Sequence, residues 1–273
     1  MPLLTTPCHK LYYTTAGNGH QPALLMLHGF LGNHQDFDRV VSILSKHFYC
    51  ILPDLPGHGQ TLTQPNGYTF PSVSASLLAL LDKLNCKQAY LLGYSMGGRI
   101  ALYMACHAPS RFIKVILESA SPGLKTLVEQ EERKRRDWAI AQKLETIPLP
   151  DFLDIWYKHE LFKSLRSHPK LYREMRSRRQ NNNPIELANA LRGFSTGVQP
   201  SLWKALSKIA QPLLLIVGDK DPKFVKIAQQ MLASQQSENK RISIEYCTRC
   251  GHNIHLEQPS IYANAIVQFA LDR

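Results

Sequence analysis

The sequence predicts an α/β fold: a mostly parallel central sheet flanked by helices, with a helical lid inserted in the second half. Three observations carry this. Short runs, mostly apolar and bounded by turn residues, alternate with longer helical patterns through the first half of the chain, the signature of βα units. The length of 273 residues is enough to bury roughly three-quarters of the unfolded surface, in one large domain or two small ones. Between residues 123 and 208 the strand-like runs stop, and a stretch that long is improbable as bare loop inside a compact domain. Residues 1–122 and 209–273 are therefore assigned to the core and 123–208 to the lid.

Strands are expected at Ala23–Leu27, Tyr49–Leu52, Ala89–Leu92, Lys114–Leu117, Leu213–Val217 and Ile242–Tyr246, in lengths that suit a buried parallel sheet. Helices are expected at Asp36–Lys46, Ser72–Leu84, Gly98–Ala108, Val225–Gln235 and Ser260–Leu271.

Composition narrows the class. With 44% hydrophobic and 19% charged residues, the chain is not disordered, collagen-like or disulfide-dense. Its net charge is +11, and Lys125–Lys208, with 17 basic and 10 acidic residues, carries most of it. That excess calls for an anionic partner or a solvated helical face. Nucleic acid fits poorly, because the basic residues are not interleaved with stacking aromatics and no recognised nucleic-acid-binding motif accompanies them. Cys8, Cys50, Cys86, Cys106, Cys247 and Cys250 are scattered and read as reduced thiols. The N-terminus lacks a basic segment followed by an apolar one, and no apolar run reaches bilayer length, so a cytoplasmic protein without membrane insertion is expected.

The chemistry centres on Gly93-Tyr94-Ser95-Met96-Gly97. It follows an apolar strand and opens a helix, the context in which G-x-S-x-G lifts a serine hydroxyl above a sheet. Serine is inert at neutral pH until an imidazole takes its proton and an acid fixes that imidazole. In this strand-turn-helix class the acid and then the histidine follow the serine. Asp219 and Asp221 both lie after the strand Leu213–Val217, and spacing does not separate them; His252 lies after Ile242–Tyr246, with His255 as an alternative. An oxyanion hole would use the backbone N–H groups of Met96 and of Phe30, in His28-Gly29-Phe30-Leu31-Gly32. His58, in Asp54-Leu55-Pro56-Gly57-His58-Gly59, reads as a hydrogen-bonding loop residue. Cys247, Cys250, His252 and His255 could be taken for zinc ligands, but such sites separate their Cys and His pairs by a dozen or more residues. No metal and no cofactor is expected.

With these residues the chain resembles the α/β-hydrolase superfamily over nearly its full length. Gly93-Tyr94-Ser95-Met96-Gly97-Gly98-Arg99, Glu118-Ser119-Ala120-Ser121-Pro122-Gly123-Leu124, Arg179-Gln180-Asn181-Asn182-Asn183, Val198-Gln199-Pro200 and Gly251-His252-Asn253-Ile254-His255 narrow it. Together they resemble a lyase family of menaquinone and phylloquinone biosynthesis, the 2-succinyl-6-hydroxy-2,4-cyclohexadiene-1-carboxylate synthases. The resemblance implies elimination of pyruvate from 2-succinyl-5-enolpyruvyl-6-hydroxy-3-cyclohexene-1-carboxylate, with the serine as a base on carbon. It places the triad acid on Asp221 and implies a small polyanionic substrate with three carboxylates. Arginines bind such groups in two-pronged fashion. Arg99, one helical turn after Ser95, is the best placed; Arg133 and Arg179 are the others by resemblance, with Tyr94 and Trp156 as pocket residues. Met96 and Gln180 stand where the family has leucine and serine. A carbon–carbon hydrolase or carboxylesterase, and a non-enzymatic small-molecule receptor, are the alternatives.

Overall fold

A parallel strand covered on both faces needs apolar side chains at every position, and Ala23–Leu27 and Leu213–Gly218 are buried throughout. The computed structural model describes residues 2–207, 209–235 and 241–272. The elements run β1 (Leu3–Thr5), β2 (His9–Ala16), β3 (Ala23–Leu27), α1 (Asp38–Leu44), β4 (Tyr49–Pro53), β5 (Leu62–Thr63), α2 (Phe70–Lys83), β6 (Ala89–Tyr94), α3 (Met96–His107) and β7 (Phe112–Glu118). Helices alone follow among the described residues: α4 (Leu127–Thr146), α5 (Leu149–Trp156), α6 (Lys163–Arg166), α7 (Pro169–Arg179), α8 (Pro184–Gly193) and α9 (Trp203–Leu206). The chain then returns to β8 (Leu213–Gly218), α10 (Pro222–Ala233), β9 (Ile242–Cys247), α11 (Ile254–Glu257) and α12 (Pro259–Leu271).

The sheet has the order β1-β2-β4-β3-β6-β7-β8-β9, with β5 beside β2. From β4 through β9 every pairing is parallel, whereas β2 pairs antiparallel with β1, β4 and β5. Successive residues of a strand point to opposite faces. Leu25 and Leu27 accordingly join a core with Leu77, Ile100 and Met231, while Leu24 and Met26 join another with Val40, Leu44 and Ile266. Helices α2, α3 and α10 thus cover one face, and α1 and α12 the other. A third cluster, around Leu144, Phe152, Leu165, Met175 and Leu187, lies in the helical insert and reaches Leu31 of the core.

Local chemistry sets the helix starts. Thr69 and Ser72 form a reciprocal capping box on α2, and Thr126 and Glu129 do the same on α4. The six expected strands are all present. Strands β1, β2 and β5 were not expected, because this antiparallel edge is short or carries polar residues such as His9, Lys10 and Thr14. The expected helix Asp36–Lys46 is divided: Asn33 caps a 3-10 turn over His34–Phe37 before α1 begins. Helix α10 starts three residues earlier than expected, because the Asp221 side chain accepts the Phe224 N–H and caps it.

Topology places the site. From β3 the chain moves to β4 on one side and later to β6 on the other, and ligands of open α/β sheets gather beyond the strand ends at such a reversal. Leu27 pairs with Gly93, so the ends of β3 and β6 bring Phe30 and Ser95 together. Gly218 pairs with Cys247, so Asp221 and His252 leave the sheet side by side.

Candidate active site

Ser95 caps the junction of β6 and α3 with φ 50° and ψ −106°, a backbone conformation that survives only where its surroundings hold it. Its N–H donates to the Glu118 carbonyl at 2.9 Å. The flanking glycines allow the close packing: a Cβ on Gly97 would lie 2.2 Å from the Leu27 carbonyl oxygen, and one on Gly93 2.5 Å from that of Gly97. Sequence and strain therefore agree on a raised serine.

His252 Nε2 lies 3.2 Å from Ser95 Oγ, and its Nδ1 lies 2.7 Å from Asp221 Oδ2. With Nδ1–H donating to the carboxylate, Nε2 is left as an acceptor for the serine proton. Asp221 is buried, and its other oxygen accepts the Phe224 N–H at 3.2 Å. Asp219 is exposed and accepts the Cys250 N–H at 3.2 Å, so the geometry separates two residues that spacing left level. His255, the alternative base, is fully buried, and its Nδ1 lies 2.8 Å from Glu118 Oε2.

Phe30 and Met96 line the same cavity of about 370 Å³ as Ser95 and His252. Among the described residues neither of their backbone N–H groups has a protein acceptor. The Phe30 ring meets Trp156 edge to face at 5.4 Å, and Trp156 and Tyr94 also line the cavity. The Tyr94 hydroxyl accepts from Asn253 Nδ2 at 2.7 Å, and burial raises its pKa well above the ordinary phenol value.

The arginines fall into three situations. Arg99 lines the cavity and donates to the Phe194 carbonyl at 2.5 Å and to Gln199 Oε1 at 3.4 Å, with no carboxylate partner among the described residues. Burial, then the neighbouring Arg133 cation, lowers its pKa to about 9, which still leaves it charged at neutral pH. Arg133 commits Nε to Asp137 at 2.8 Å and keeps its terminal nitrogens. Arg179, given to substrate by resemblance, borders the cavity with its guanidinium already paired: Nη1 and Nη2 reach Asp36 at 2.6 and 2.7 Å in a buried two-pronged pair, and Nε approaches the Tyr157 hydroxyl at 3.4 Å. Against burial, which acts the other way, Arg179 holds the Asp36 carboxyl below its usual range. Removing one partner of a buried pair strands a charge and costs about 3–5 kcal/mol. Asp36→Asn should therefore lose stability on that scale in urea unfolding; an unchanged midpoint and slope would show the pair to be dispensable.

Sequence reasoning assigned no role to several residues found here. Lys223 also lines the cavity, and burial, then Arg133, lowers its pKa. Gln199, Glu118 and Asn182 stood inside segments that carried the family resemblance, but nothing in their spacing announced a contact. Asp36 was legible only as the start of a helix. All six cysteines are free, and no helix among the described residues is long and apolar enough to cross a membrane.

Comparison with known proteins gives the same fold. A family described as alpha/beta hydrolase fold matches residues 22–259. A Bacillus subtilis (strain 168) relative, provisionally named 2-succinyl-6-hydroxy-2,4-cyclohexadiene-1-carboxylate synthase, is 37% identical over 256 residues, covering 93% of this chain and 92% of that one. The chloroplastic protein PHYLLO of Arabidopsis thaliana is 34% identical over 254 residues, 89% of this chain but 15% of that one. The structure of MenH from S. aureus superposes with a TM-score of 0.88 at 32% identity, covering 97% of this chain and 98% of that one.

Proposed function

The chain belongs to the alpha/beta hydrolase fold family and, within it, to the 2-succinyl-6-hydroxy-2,4-cyclohexadiene-1-carboxylate synthases, and we propose that Ser95, His252 and Asp221 drive its pyruvate elimination. The enzyme is a lyase of menaquinone or phylloquinone biosynthesis. In the proposed step His252 takes the Ser95 proton as the serine oxygen removes a proton from substrate carbon. The electron pair left on carbon forms the new ring double bond, the carbon–oxygen bond to the enolpyruvyl group breaks, and that group leaves as the enolate of pyruvate, whose methylene carbon takes up the proton that His252 then gives up, so that pyruvate forms and the imidazole returns to neutral. Charge that develops on substrate oxygen meets the N–H groups of Phe30 and Met96.

The single observation that carries this reading is the charge facing the serine. Arg99, Arg133 and Lys223 line one small cavity, and Arg99 lacks an acidic partner among the described residues. A neutral ester would leave Arg99, and the part of Arg133 that Asp137 does not hold, without an anion, whereas a tricarboxylate supplies one. Residues 123–208 serve as the lid that brings Arg133 and Trp156 over the core and excludes water. Arg179 borders the cavity and contributes through the lid's anchorage on Asp36, and Tyr94 and Trp156 shape the apolar wall. Supplying the enolpyruvyl substrate should release one pyruvate per molecule consumed. Hydrolysis of neutral esters without pyruvate release would instead favour the carboxylesterase alternative.

Arg99→Ala should lower kcat/KM about 10- to 150-fold, the scale of one charged hydrogen bond. Arg99→Lys should recover only part, since an ammonium keeps the charge but not the two-pronged geometry. Melting temperature should stay within a few degrees while affinity for succinyl-bearing carboxylate inhibitors falls. A variant that melts early yet binds those inhibitors normally would make Arg99 a strut for Phe194 and Gln199 and nothing more.

A further inference from the structure

The turn that carries the Phe30 N–H is strained and is held from outside. The Gly32 N–H donates to the Gly29 carbonyl at 3.0 Å, closing a four-residue turn whose third residue, Leu31, has φ 67°. Turns with a positive φ at that position call for glycine, and a leucine there persists only where its neighbours over-determine it. Two side chains from distant parts of the chain do so. The Leu31 N–H donates to His58 Nε2 at 3.1 Å, and the Leu31 carbonyl accepts from Asn182 Nδ2 at 2.9 Å.

Both side chains are set for these roles. His58 Nδ1–H donates to the Pro56 carbonyl at 3.0 Å, which leaves Nε2 as an acceptor. Burial, with His28 beside it, pushes the His58 pKa down to about 3, so the ring stays neutral. Asn182 also donates to the Arg179 carbonyl at 3.2 Å and accepts the Gly59 N–H at 3.4 Å. Its own position is therefore tied to the Arg179–Asp36 pair.

A planar trans peptide passes orientation from one edge to the other. Holding the Leu31 carbonyl aims the Gly32 N–H, on the opposite edge of that peptide, at the Gly29 carbonyl. His28 Nδ1–H reaches the same carbonyl at 2.8 Å. With the Gly29 oxygen fixed, the Phe30 N–H, on the opposite edge of that same Gly29–Phe30 peptide, is turned away from it and out to the cavity. We propose that Asn182 and His58 are positioning residues for the oxyanion hole: they clamp Leu31 so that the Phe30 N–H faces the atom on which negative charge develops. The inference rests on the reading of Phe30 as an oxyanion donor.

A small fluorophosphonate tests it without the natural substrate. It forms a bond from Ser95 Oγ to phosphorus as fluoride leaves and His252 takes the serine proton, and its phosphoryl oxygen gathers charge in the oxyanion hole. Asn182→Asp keeps the size and removes the donor, and should slow labelling of Ser95 about 10- to 100-fold, less than the 10²–10³ typical of deleting an oxyanion donor outright. His58→Leu should do the same, while His58→Gln, whose Oε1 can take the place of Nε2, should recover much of the rate. Affinity for carboxylate inhibitors should stay within about twofold in all three. Wild-type labelling in a folded Asn182→Asp protein would overturn the clamp, as would equal losses in His58→Gln and His58→Leu, or inhibitor affinity falling in step with labelling. Normal labelling of the wild type with no pyruvate released from the enolpyruvyl compound would leave the clamp standing and remove the substrate reading alone.

Discussion

Ser95→Ala is expected to lower kcat/KM for pyruvate release by at least about a thousandfold, and His252→Ala by a comparable amount, with the double substitution little worse than either. The three residues act as one unit: without the hydroxyl the imidazole has nothing to activate, and without the imidazole the hydroxyl keeps its proton at neutral pH. The geometry supports a loss that large, because His252 Nε2 meets Ser95 Oγ at 3.2 Å and the only other histidine near in sequence, His255, is buried against Glu118. Deleting one oxygen in a cavity leaves the packing around it almost unaltered, so the melting temperature should hardly move. Activity above a tenth of wild type in Ser95→Ala would mean that His252 takes the carbon-bound proton directly, and the serine would become a hydrogen-bonding spectator.

What could be read in the sequence divides by how local its cause is. Strand β3 was legible because burial on both faces demands an unbroken apolar run. The serine turn was legible because a residue at φ 50° needs its glycines within a few positions. Strand β2 was not, since this antiparallel strand, next to the edge strand β1, mixes Lys10, Thr14 and Thr15 with its buried residues. Outside the triad, whose chain order is a motif in itself, contacts between distant segments left no trace. Arg179 meets Asp36 across 143 residues of chain, and His255 meets Glu118 across 137. The resemblance gave Arg179 a substrate role but no partner within the protein, and folding supplied the carboxylate that pairs with it. Asn182 is a similar case: the asparagine run marked the family, while the reason for one of its members lies on Leu31, reached only when α7 docks on the core.

The same principle decides between the two aspartates, and Asp221→Asn should cost about 10³- to 10⁴-fold in kcat/KM where Asp219→Asn costs less than about threefold. Asp221 serves two donors at once, the His252 Nδ1–H at 2.7 Å and the Phe224 N–H at 3.2 Å. An asparagine has one oxygen to offer. If that oxygen keeps the cap of α10, the amide NH₂ faces His252 Nδ1 and forces it to become an acceptor; the ring proton then moves to Nε2, which can no longer receive the proton of Ser95. If the amide turns over, His252 keeps its tautomer but the NH₂ is driven against the Phe224 N–H, and the loop that presents the acid gives way. In either orientation the imidazolium formed during the reaction loses the negative charge beside it. The Asp219 carboxylate accepts one hydrogen bond among the described residues, from the Cys250 N–H at 3.2 Å, which an asparagine oxygen reproduces at an exposed position. Steady-state pyruvate release from the two purified variants measures the contrast, and a loss in Asp219→Asn matching that of Asp221→Asn would mean that the acid reaches His252 through the Cys250 turn and not through the direct carboxylate contact.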